Sequence, residues 1–356
     1  MQDGQKDRSA RPQRVKGRGV LFTVRRGRER CENDADGVFH HPSRHDEEGV
    51  ALLLAILVLA LLVALILEFD SDARREYREA AAFRDNFKAS VLTRAAVQAA
   101  RAVLQQDHLK DKQTGQMYDA TTDLWAFPIQ KYAIGDGLMS AQIEDERSKL
   151  NLNDLATASD PNVKKTKVLR FKRLFNLLQI NPDLVDAIID WVDADDIPEA
   201  AGAESVYYQA LRPSYRAANA PLQTMREMRL IKGMTPEIVD RLLQYVTIYP
   251  QEGESRININ TADVLVLQAL DPRISQSMAG EVIQSRPFKT VQDLDRVGSF
   301  AEIAKELRLL SVYDVKTDIF SANMTLTVNE TTKSGIVVLQ RDEATGNSAV
   351  RYFRFL

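Results

Sequence analysis

Cysteine and histidine are nearly absent from this sequence of 356 residues. The single cysteine, Cys31, and three of the four histidines precede a long apolar run, so the chain after that run contains only His108 and no cysteine. That segment therefore has no disulfide of its own and lacks the ligands of a typical zinc site. A Ser-His-Asp or Cys-His mechanism would have to use His108 alone. We find no other catalytic constellation, and we expect neither enzymatic activity nor a small-molecule substrate.

A strong excess of charge of one sign is also missing, since 47 Lys and Arg residues face 50 Asp and Glu residues and the net charge is −3. Residues 1–49 hold 11 basic and 9 acidic residues, and the remainder holds 36 and 41. A mildly acidic body does not attract the phosphates of nucleic acid, so we expect no nucleic-acid partner. The length of the chain suffices for more than one hydrophobic core.

The longest apolar run, from Val50 to Leu67, would span about 27 Å as a helix, close to the hydrocarbon thickness of a bilayer. A helix that is apolar on every side is unsuited to a protein surface. A secretory signal usually has a shorter apolar region with a cleavage site after it, which is not found here. We therefore predict a retained membrane helix. Residues 70–106 contain no Gly or Pro and repeat apolar residues near helical spacing, so we predict one continuous helix from about residue 51 to 106.

Beyond residue 106 the sequence predicts strands, then helices, then strands again. Alternating residues predict strands at Lys131–Ala133 and Leu138–Glu144, and the segment 166–310 has helical patterns. We predict an α+β fold in which a long N-terminal helix packs on a small antiparallel sheet and a large helical domain is inserted between the strands. The predicted C-terminal strands are Ser321–Val328, Gly335–Arg341 and Ala349–Phe355.

The helical segment contains an internal repeat. Residues 221–228 (PLQTMREM) align with residues 287–294 (PFKTVQDL). In each copy a Thr is followed three residues later by an acid, which is the spacing of a capping box at a helix start. The predicted boxes pair Thr224 with Glu227 and Thr290 with Asp293. We predict two related helix-hairpin-helix (SAM-like) modules, the first with an insertion at about residues 193–220.

The DEEGV junction at residues 46–50 resembles the processing site of type IV prepilins and type II secretion pseudopilins, although the acidic residues before Gly49 and the long leader depart from the usual pattern. Leu54 stands where most such subunits carry Glu. The K-type minor pseudopilin of type II secretion characteristically lacks that Glu and carries a large helical insertion. Further segments that look like the K-type family are ERSKLNLNDL (146–155), DWVDADDIPEAAGAESVYY (190–208), YRAANAPLQTMREMRLIKGMTPEIVDRLLQYVTIYP (215–250) and ININTADVLVLQAL (257–270).

The resemblance implies that a prepilin peptidase cuts between Gly49 and Val50 and that the new amino terminus is methylated. It implies a single-pass protein of the inner membrane with a cytoplasmic N-terminus and a periplasmic body. It also implies a tip complex with I- and J-type minor pseudopilins, which primes a short periplasmic pseudopilus for protein export across the outer membrane.

The predicted domains follow from these patterns together with the resemblance. They are a leader (1–49), an N-terminal helix (50–108) with a transmembrane part (50–67), the first part of a pilin-like domain (109–155), an inserted helical domain (156–310) and C-terminal pilin-like strands (311–356). Residues 1–49 are either a genuine cytoplasmic leader or the product of an upstream start codon, and the sequence leaves both open.

Acidic residues cluster after a predicted helix, at Asp190, Asp193, Asp195, Asp196 and Glu204. Closely spaced oxygen ligands suit Ca²⁺, which accepts about six to eight oxygens, although the spacing is not that of an EF-hand. The spacing alone leaves a bound ion and a solvated acidic loop both open. The resemblance implies calcium in the helical domain, with Asp193, Asp195, Asp196 and Glu204 as the predicted ligands. Such an ion would pin the loop and neutralise its repulsion, a structural role.

Residues 257–262 (ININTA) support a rival hypothesis, because N-I-N-T-A also opens the helix-hairpin-helix modules of DNA-binding competence and repair proteins. Those modules usually place a G-I-G-like turn between their helices, where backbone N–H groups approach a phosphate. Here Asp271 would repel a phosphate and Pro272 lacks an N–H. We therefore predict protein-interaction modules, with a membrane-anchored DNA-uptake protein as the alternative. Asn260 or Thr261 is predicted to cap a helix.

Overall fold

The computed structural model describes residues 45–157, 160–253 and 255–356. Residues 1–44, which make up most of the predicted leader, lie outside the described residues. The chain divides into two compact units, Met1–Ser71 and Asp72–Leu356. Within the described part, one helix is long and apolar enough to cross a membrane.

That helix, α1 (His45–Thr114), confirms the predicted continuous helix and extends it at both ends. In the first unit, the large apolar side chains from Val50 to Leu67 are all exposed, which is the arrangement expected where lipid surrounds a helix. In the second unit one face of α1 is buried and built from small residues, including Ala89 and Ala96. Gly115 follows the last helical residue at a φ of 68°, a left-handed conformation that glycine adopts without strain.

The second unit is organised around an antiparallel sheet. The strands are, in chain order, β1 (Ile129–Ile134), β2 (Gly137–Asp145), β3 (Leu150–Asn151), β4 (Val246–Thr247), β5 (Ile257–Asn258), β6 (Tyr313–Asp314), β7 (Ile319–Val328), β8 (Thr331–Arg341) and β9 (Ser348–Phe355). Five of them form the main sheet, in the order β1-β2-β7-β8-β9. Alternate residues of β7, from Phe320 to Leu326, form a core with Leu104 of α1, as the two-residue period of a strand requires. Since β2 and β7 are neighbours, the chain between them is an insertion, as predicted.

The inserted block is mainly helical. Its helices share one hydrophobic core, in which Phe175, Tyr208 and Phe300 are fully buried. This core is separate from the one between α1 and the main sheet. The helices of the block are α2 (Asp154–Thr157), α3 (Pro161–Leu177), α4 (Leu184–Val192), α5 (Ser205–Gln209), α6 (Pro236–Leu242), α7 (Val264–Leu270), α8 (Gln276–Gln284) and α9 (Ala301–Leu309).

The internal repeat is visible in the structure. Both predicted capping boxes form, Thr224 with Glu227 and Thr290 with Asp293, although the helices that they start are short 3₁₀ segments. Each copy also closes with a small parallel strand pair, β3 with β4 in the first and β5 with β6 in the second.

An asparagine holds the start of each copy to the segment before its capping box. Nδ2 of Asn153 donates to the carbonyls of Leu222 and Ile248 at 3.1 and 3.0 Å, and its Oδ1 accepts the N–H of Leu222 at 2.7 Å. Asn260 makes the equivalent pair of bonds to the carbonyl and N–H of Phe288, at 2.9 and 2.7 Å. The prediction that Asn260 or Thr261 caps a helix was wrong, because Asp263 caps α7 by accepting the N–H of Leu265. Asn260 is fully buried and bridges backbone groups instead, and the hydroxyl of Thr261 donates to Asp145.

Candidate functional site

The acidic loop begins at the end of α4 and is tied to it by a buried carboxylate. Asp190 is completely buried, and its Oδ1 accepts the N–H of Glu199 at 2.9 Å. A Cβ atom on Gly202 would lie 1.9 Å from Asp190 Oδ2. Any larger residue at position 202 would therefore displace the carboxylate that holds the loop in place.

Three of the four predicted calcium ligands come together in this loop. One oxygen of each of Asp193, Asp195 and Glu204 lies within 4.8 Å of the others, and these three residues form what we call the loop group. Asp196 lies outside it, because its Oδ1 accepts a hydrogen bond from Asn219 Nδ2 at 3.0 Å. The same Nδ2 donates to the backbone carbonyl of Asp195 at 2.9 Å.

The loop group carries buried oxygens without hydrogen-bond partners. Both carboxylate oxygens of Glu204 and Oδ1 of Asp193 are shielded from solvent and accept no bond. Burial, followed by the charges of neighbouring aspartates, raises the pKa of Glu204 to about 7. A nearby cation is Lys164, whose Nζ lies 3.3 Å from Asp193 Oδ2. Buried, unpaired carboxylate oxygens are costly unless a cation neutralises them, so this donor set fits a hard divalent cation such as Ca²⁺.

A second set of carboxylates, which sequence reasoning missed, lies where α1 ends. One oxygen of each of Asp107, Asp111 and Asp119 lies within 4.8 Å of the others, and we call these residues the helix-end group. Arg341 of β8 reaches this group, with Nη2 at 2.5 Å from Asp119 and Nη1 at 3.4 Å from Asp107. Burial is the main cause that raises the pKa of Asp107 to about 7 and that of Asp111 to about 6. The available signal was the four-residue spacing of Asp107 and Asp111, which places both on one helix face.

The loops that could approach a phosphate are occupied by internal contacts. Arg273 bonds Asp271 at 2.9 Å and Glu306 at 2.5 Å. Lys232 donates to the carbonyls of Ala201 and Gly202, at 3.3 and 2.8 Å, and so fastens the acidic loop. Both side chains are thus engaged in contacts within the chain, and the geometry of these two loops does not favour the DNA-binding alternative.

The predicted processing residues Gly49 and Val50 both lie in α1 and are exposed. A Cβ atom on Gly49 would meet no other atom within 4 Å. The fold alone does not therefore explain why glycine is found at this position.

Two family models with the description "Type II secretion system (T2SS), protein K" match the inserted block, one at residues 148–251 and the other at 257–313. Type II secretion system protein K of Klebsiella pneumoniae is 31% identical to this chain over 252 residues, which cover 68% of this chain and 76% of the relative. The chain belongs to the type II secretion system protein K family. Protein K of Pseudomonas aeruginosa is 30% identical, covering 71% of this chain and 76% of the relative. Protein K of Aeromonas hydrophila is 27% identical, covering 82% of this chain and 92% of the relative.

The fold also has a solved counterpart. A chain of the crystal structure of the GspK-GspI-GspJ complex from enterotoxigenic Escherichia coli superimposes with a TM-score of 0.65 at 22% identity, covering 78% of this chain and 99% of the other. The predicted α+β fold is thereby confirmed. As a member of the protein K family, this chain is a pseudopilin of type II secretion. The two family models meet between residues 251 and 257, which is also where the two copies of the repeat meet.

Proposed function

We propose that this chain is a non-enzymatic minor pseudopilin that caps and primes the tip of the periplasmic pseudopilus together with I- and J-type minor pseudopilins. The observation that carries the proposal is the helical block inserted between the neighbouring strands β2 and β7. A subunit with so large a body beside its sheet would clash with identical subunits stacked above and below it in a shaft. Leu54 adds support, because it supplies no carboxylate to pair with a neighbour's terminal amine.

An exposed apolar stripe on α1 supports packing against a helix of a partner. Phe83, Phe87 and Val91 follow one another at four-residue spacing, which places them on one face of the helix. They are 76%, 63% and 50% exposed, whereas Ala89 and Ala96 bury a different face. We assign this stripe to contact with the N-terminal helices of the I- and J-type subunits. The GspK-GspI-GspJ complex, one chain of which has a similar fold, supports that choice of partners.

Copurification tests the assembly. A Phe83→Ala/Phe87→Ala variant should lose the I- and J-type subunits of the same secretion system when membranes are solubilised in detergent, and should fail to restore secretion in a strain without this gene. A Leu309→Ala variant is the control, because that side chain is 84% exposed but lies on the inserted block. Labelled subunits found along the shaft of overproduced filaments, rather than at one end, would contradict the tip assignment.

We further propose that the prepilin peptidase cuts between Gly49 and Val50, leaving the apolar first part of α1 (50–67) in the inner membrane and the body in the periplasm. The exposed apolar side chains of the first unit support the membrane anchor. N-terminal sequencing of membrane-bound protein, with and without the peptidase, tests the cut. A mature chain that begins at any residue other than Val50 would refute the assignment.

We also propose that the acidic loop holds a structural Ca²⁺ ion. Asp193 and Glu204 supply buried oxygens without other partners, and the exposed Asp195 supplies a third carboxylate beside them. Asp196 would join them after releasing Asn219. The ion would neutralise the mutual repulsion of these carboxylates and fix the loop that connects α4 to α5. The measurement that tests the ion is the change in Tm when a chelator removes it.

A further inference from the structure

A cavity of about 340 Å³ lies between α3 and the chain that follows α9. Val163, Lys167 and Arg170 line one wall, and their spacing of four and three residues places them on one face of α3. Leu310 and Val312 line the other wall. The volume lies at the lower end of the range for small-ligand pockets, which measure roughly 300–1,000 Å³. None of the functions proposed above uses this cavity.

The apolar part of the cavity is open to solvent. Leu310 is 67% exposed and Val163 is 46% exposed, whereas Val312 is buried. Leu309, the neighbour of Leu310, is 84% exposed but does not line the cavity. Removing apolar surface from water is favourable, so a hydrocarbon group that entered the cavity would be stabilised by these side chains.

The cavity wall holds two cations and one carboxylate. The carboxylate, Asp154, is already paired, since its Oδ1 lies 3.6 Å from Nζ of Lys167. Arg170 is half-buried and makes one hydrogen bond, in which its Nε donates to a backbone carbonyl of α7 at 3.2 Å. Among the described residues no carboxylate forms an ion pair with this guanidinium, because Asp271 is paired with Arg273 at 2.9 Å.

Arg170 therefore carries a positive charge without a direct counter-charge in the described part of the chain. Burial lowers the pKa of Arg170, because a charged group loses solvation when it is buried. The two Nη nitrogens make no hydrogen bond to the described residues, and they are not among the unbonded donors that are shielded from solvent. A ligand can therefore reach them. A guanidinium and a carboxylate are both planar, and the hydrogen bonds between them are among the strong ones.

We propose that this cavity binds an aliphatic carboxylate, whose charged end accepts hydrogen bonds from the Nη nitrogens of Arg170 and whose hydrocarbon part packs against Val163 and Leu310. The length of the site fits such a molecule, because α3 rises about 10 Å from Val163 to Arg170. Lys167 lies between these two residues and stays paired with Asp154, so that binding breaks no internal ion pair. The ligand is either a free short-chain fatty acid or the carboxyl-terminal residue of another protein chain.

Calorimetric titration of the full-length chain in non-ionic detergent, at constant ionic strength, tests the proposal. N-acetyl-leucine and hexanoate are the probes, and N-acetyl-leucinamide, which lacks the carboxylate, is the control ligand. The amide should bind at least about tenfold more weakly than N-acetyl-leucine, because it cannot form the charge-assisted bonds. Binding of hexanoate at least as tight as that of N-acetyl-leucine indicates a free fatty acid, and tighter binding of N-acetyl-leucine indicates a chain terminus. Failure of both acids to bind, or equal binding of the amide, overturns the proposal.

A pair of neighbouring leucines locates the ligand. Leu310→Ala should weaken binding of N-acetyl-leucine about three- to tenfold, because it removes apolar contact. Leu309→Ala is the matched control and should bind as the unaltered chain does. Equal affinities of the two leucine variants would place the ligand elsewhere and overturn the proposal.

The arginine tests the charged end of the site. Arg170→Met should abolish the preference for N-acetyl-leucine over its amide, and a variant that keeps this preference overturns the proposal. Should Arg170→Met not fold, the two leucine variants keep the test decisive, because both leucine side chains are exposed.

Discussion

The loop group and the helix-end group are alike in the number and spacing of their carboxylates, but their charge is balanced in different ways. In the helix-end group Arg341 lies within the cluster and bonds two of the three aspartates. In the loop group both oxygens of Glu204 are buried and unpaired, and Lys164 reaches a single oxygen at its edge. The negative charge of the helix-end group is therefore balanced by an arginine of the chain itself, whereas that of the loop group is balanced, as we propose, by a cation from solution.

The two solutions have different consequences for assembly. The guanidinium of Arg341 is carried on β8 and is present as soon as the sheet forms, so the end of α1 is fixed to the sheet whether or not an ion is available. A loop that depends on an ion is fixed only when the ion is available. The pilin-like part of the molecule therefore does not depend on a bound ion, whereas the inserted block does.

Removal of Arg341 is expected to have the largest effect. Arg341→Met leaves Asp107 and Asp119 buried, each 2% exposed, without their counter-charge. Breaking a buried ion pair by removing one partner costs about 3–5 kcal/mol. Chemical unfolding of the full-length chain in detergent measures the loss.

The control for that experiment is Arg229→Met, which breaks an exposed pair with Asp240 at 3.4 Å. Exposed pairs are worth about 0–1 kcal/mol, so this variant should unfold almost as the original chain does. Adding Asp119→Asn to Arg341→Met should restore part of the lost stability, because the buried charge is then removed as well. Equal effects of the two arginine variants would show that the helix-end group does not depend on its internal cation.

Calcium should have the next largest effect, and only on the loop group. An ion that binds the folded chain alone stabilises it by about 2.7 kcal/mol at roughly 100 times its Kd, so a chelator should lower the Tm. Glu204→Gln should abolish this response, and in chelator it should be more stable than the unaltered chain because it removes a buried repulsive charge. Glu237→Gln, at an exposed site on α6, is the control. A Tm that chelator does not move would argue against an ordered ion.

Acidification should stabilise the folded chain through the helix-end group, whereas it should weaken calcium binding by the loop group. The folded-state pKa of Asp107 is raised to about 7, so the folded chain binds its proton more tightly than the unfolded chain does. That contribution is complete below the unfolded pKa near 4 and is lost as pH rises through about 7. Between about pH 6 and pH 8 this contribution falls by roughly 1 kcal/mol.

Chemical unfolding at pH 6 and at pH 8, with Ca²⁺ in excess, measures this contribution. It is the change in the free energy of unfolding of the unaltered chain minus the change in that of the Asp107→Asn variant. The unaltered chain should gain stability on acidification and the variant should gain less. In the loop group the same acidification should weaken calcium binding, because a ligand must lose its proton and the pKa of Glu204 is also raised to about 7. Parallel pH profiles for the chain and its Asp107→Asn variant would contradict the first expectation.

The features that the sequence predicts well in this chain are those that depend on residues close together in the sequence. The unbroken apolar run, the alternation in β7 to β9 and the spacing of Thr224 and Glu227 each depend on neighbouring residues, and each formed as expected. The density of acids after α4 likewise indicated the loop group. Which oxygens converge was not readable, because the direction of Asp196 is set by Asn219, 23 positions away.

The features that sequence reasoning missed all depend on distant partners. Asn153 binds the backbone of Leu222, 69 positions away, and Arg341 reaches Asp119 across 222 positions. No periodicity or short motif records such a pairing. The asparagine pair was detectable only as a similarity between LNLN and ININ at the starts of the two copies, a signal that becomes meaningful once the repeat is known.

Lys164 should give the smallest effect and the sharpest distinction between the two groups. Its Nζ lies 3.3 Å from Asp193, and the pair is only partly shielded, with the lysine side chain 32% exposed. If Lys164 substitutes in part for the ion, Lys164→Met should free Asp193 and tighten calcium binding by about two- to fivefold, the equivalent of a weak ion pair of up to about 1 kcal/mol. Lys165→Met, one position along the same helix and exposed, should leave calcium affinity unchanged. Calcium titration at low ionic strength measures both variants. Weaker binding in Lys164→Met would mean that the lysine holds Asp193 in position for the ion, and that the loop group, like the helix-end group, includes a cation of its own.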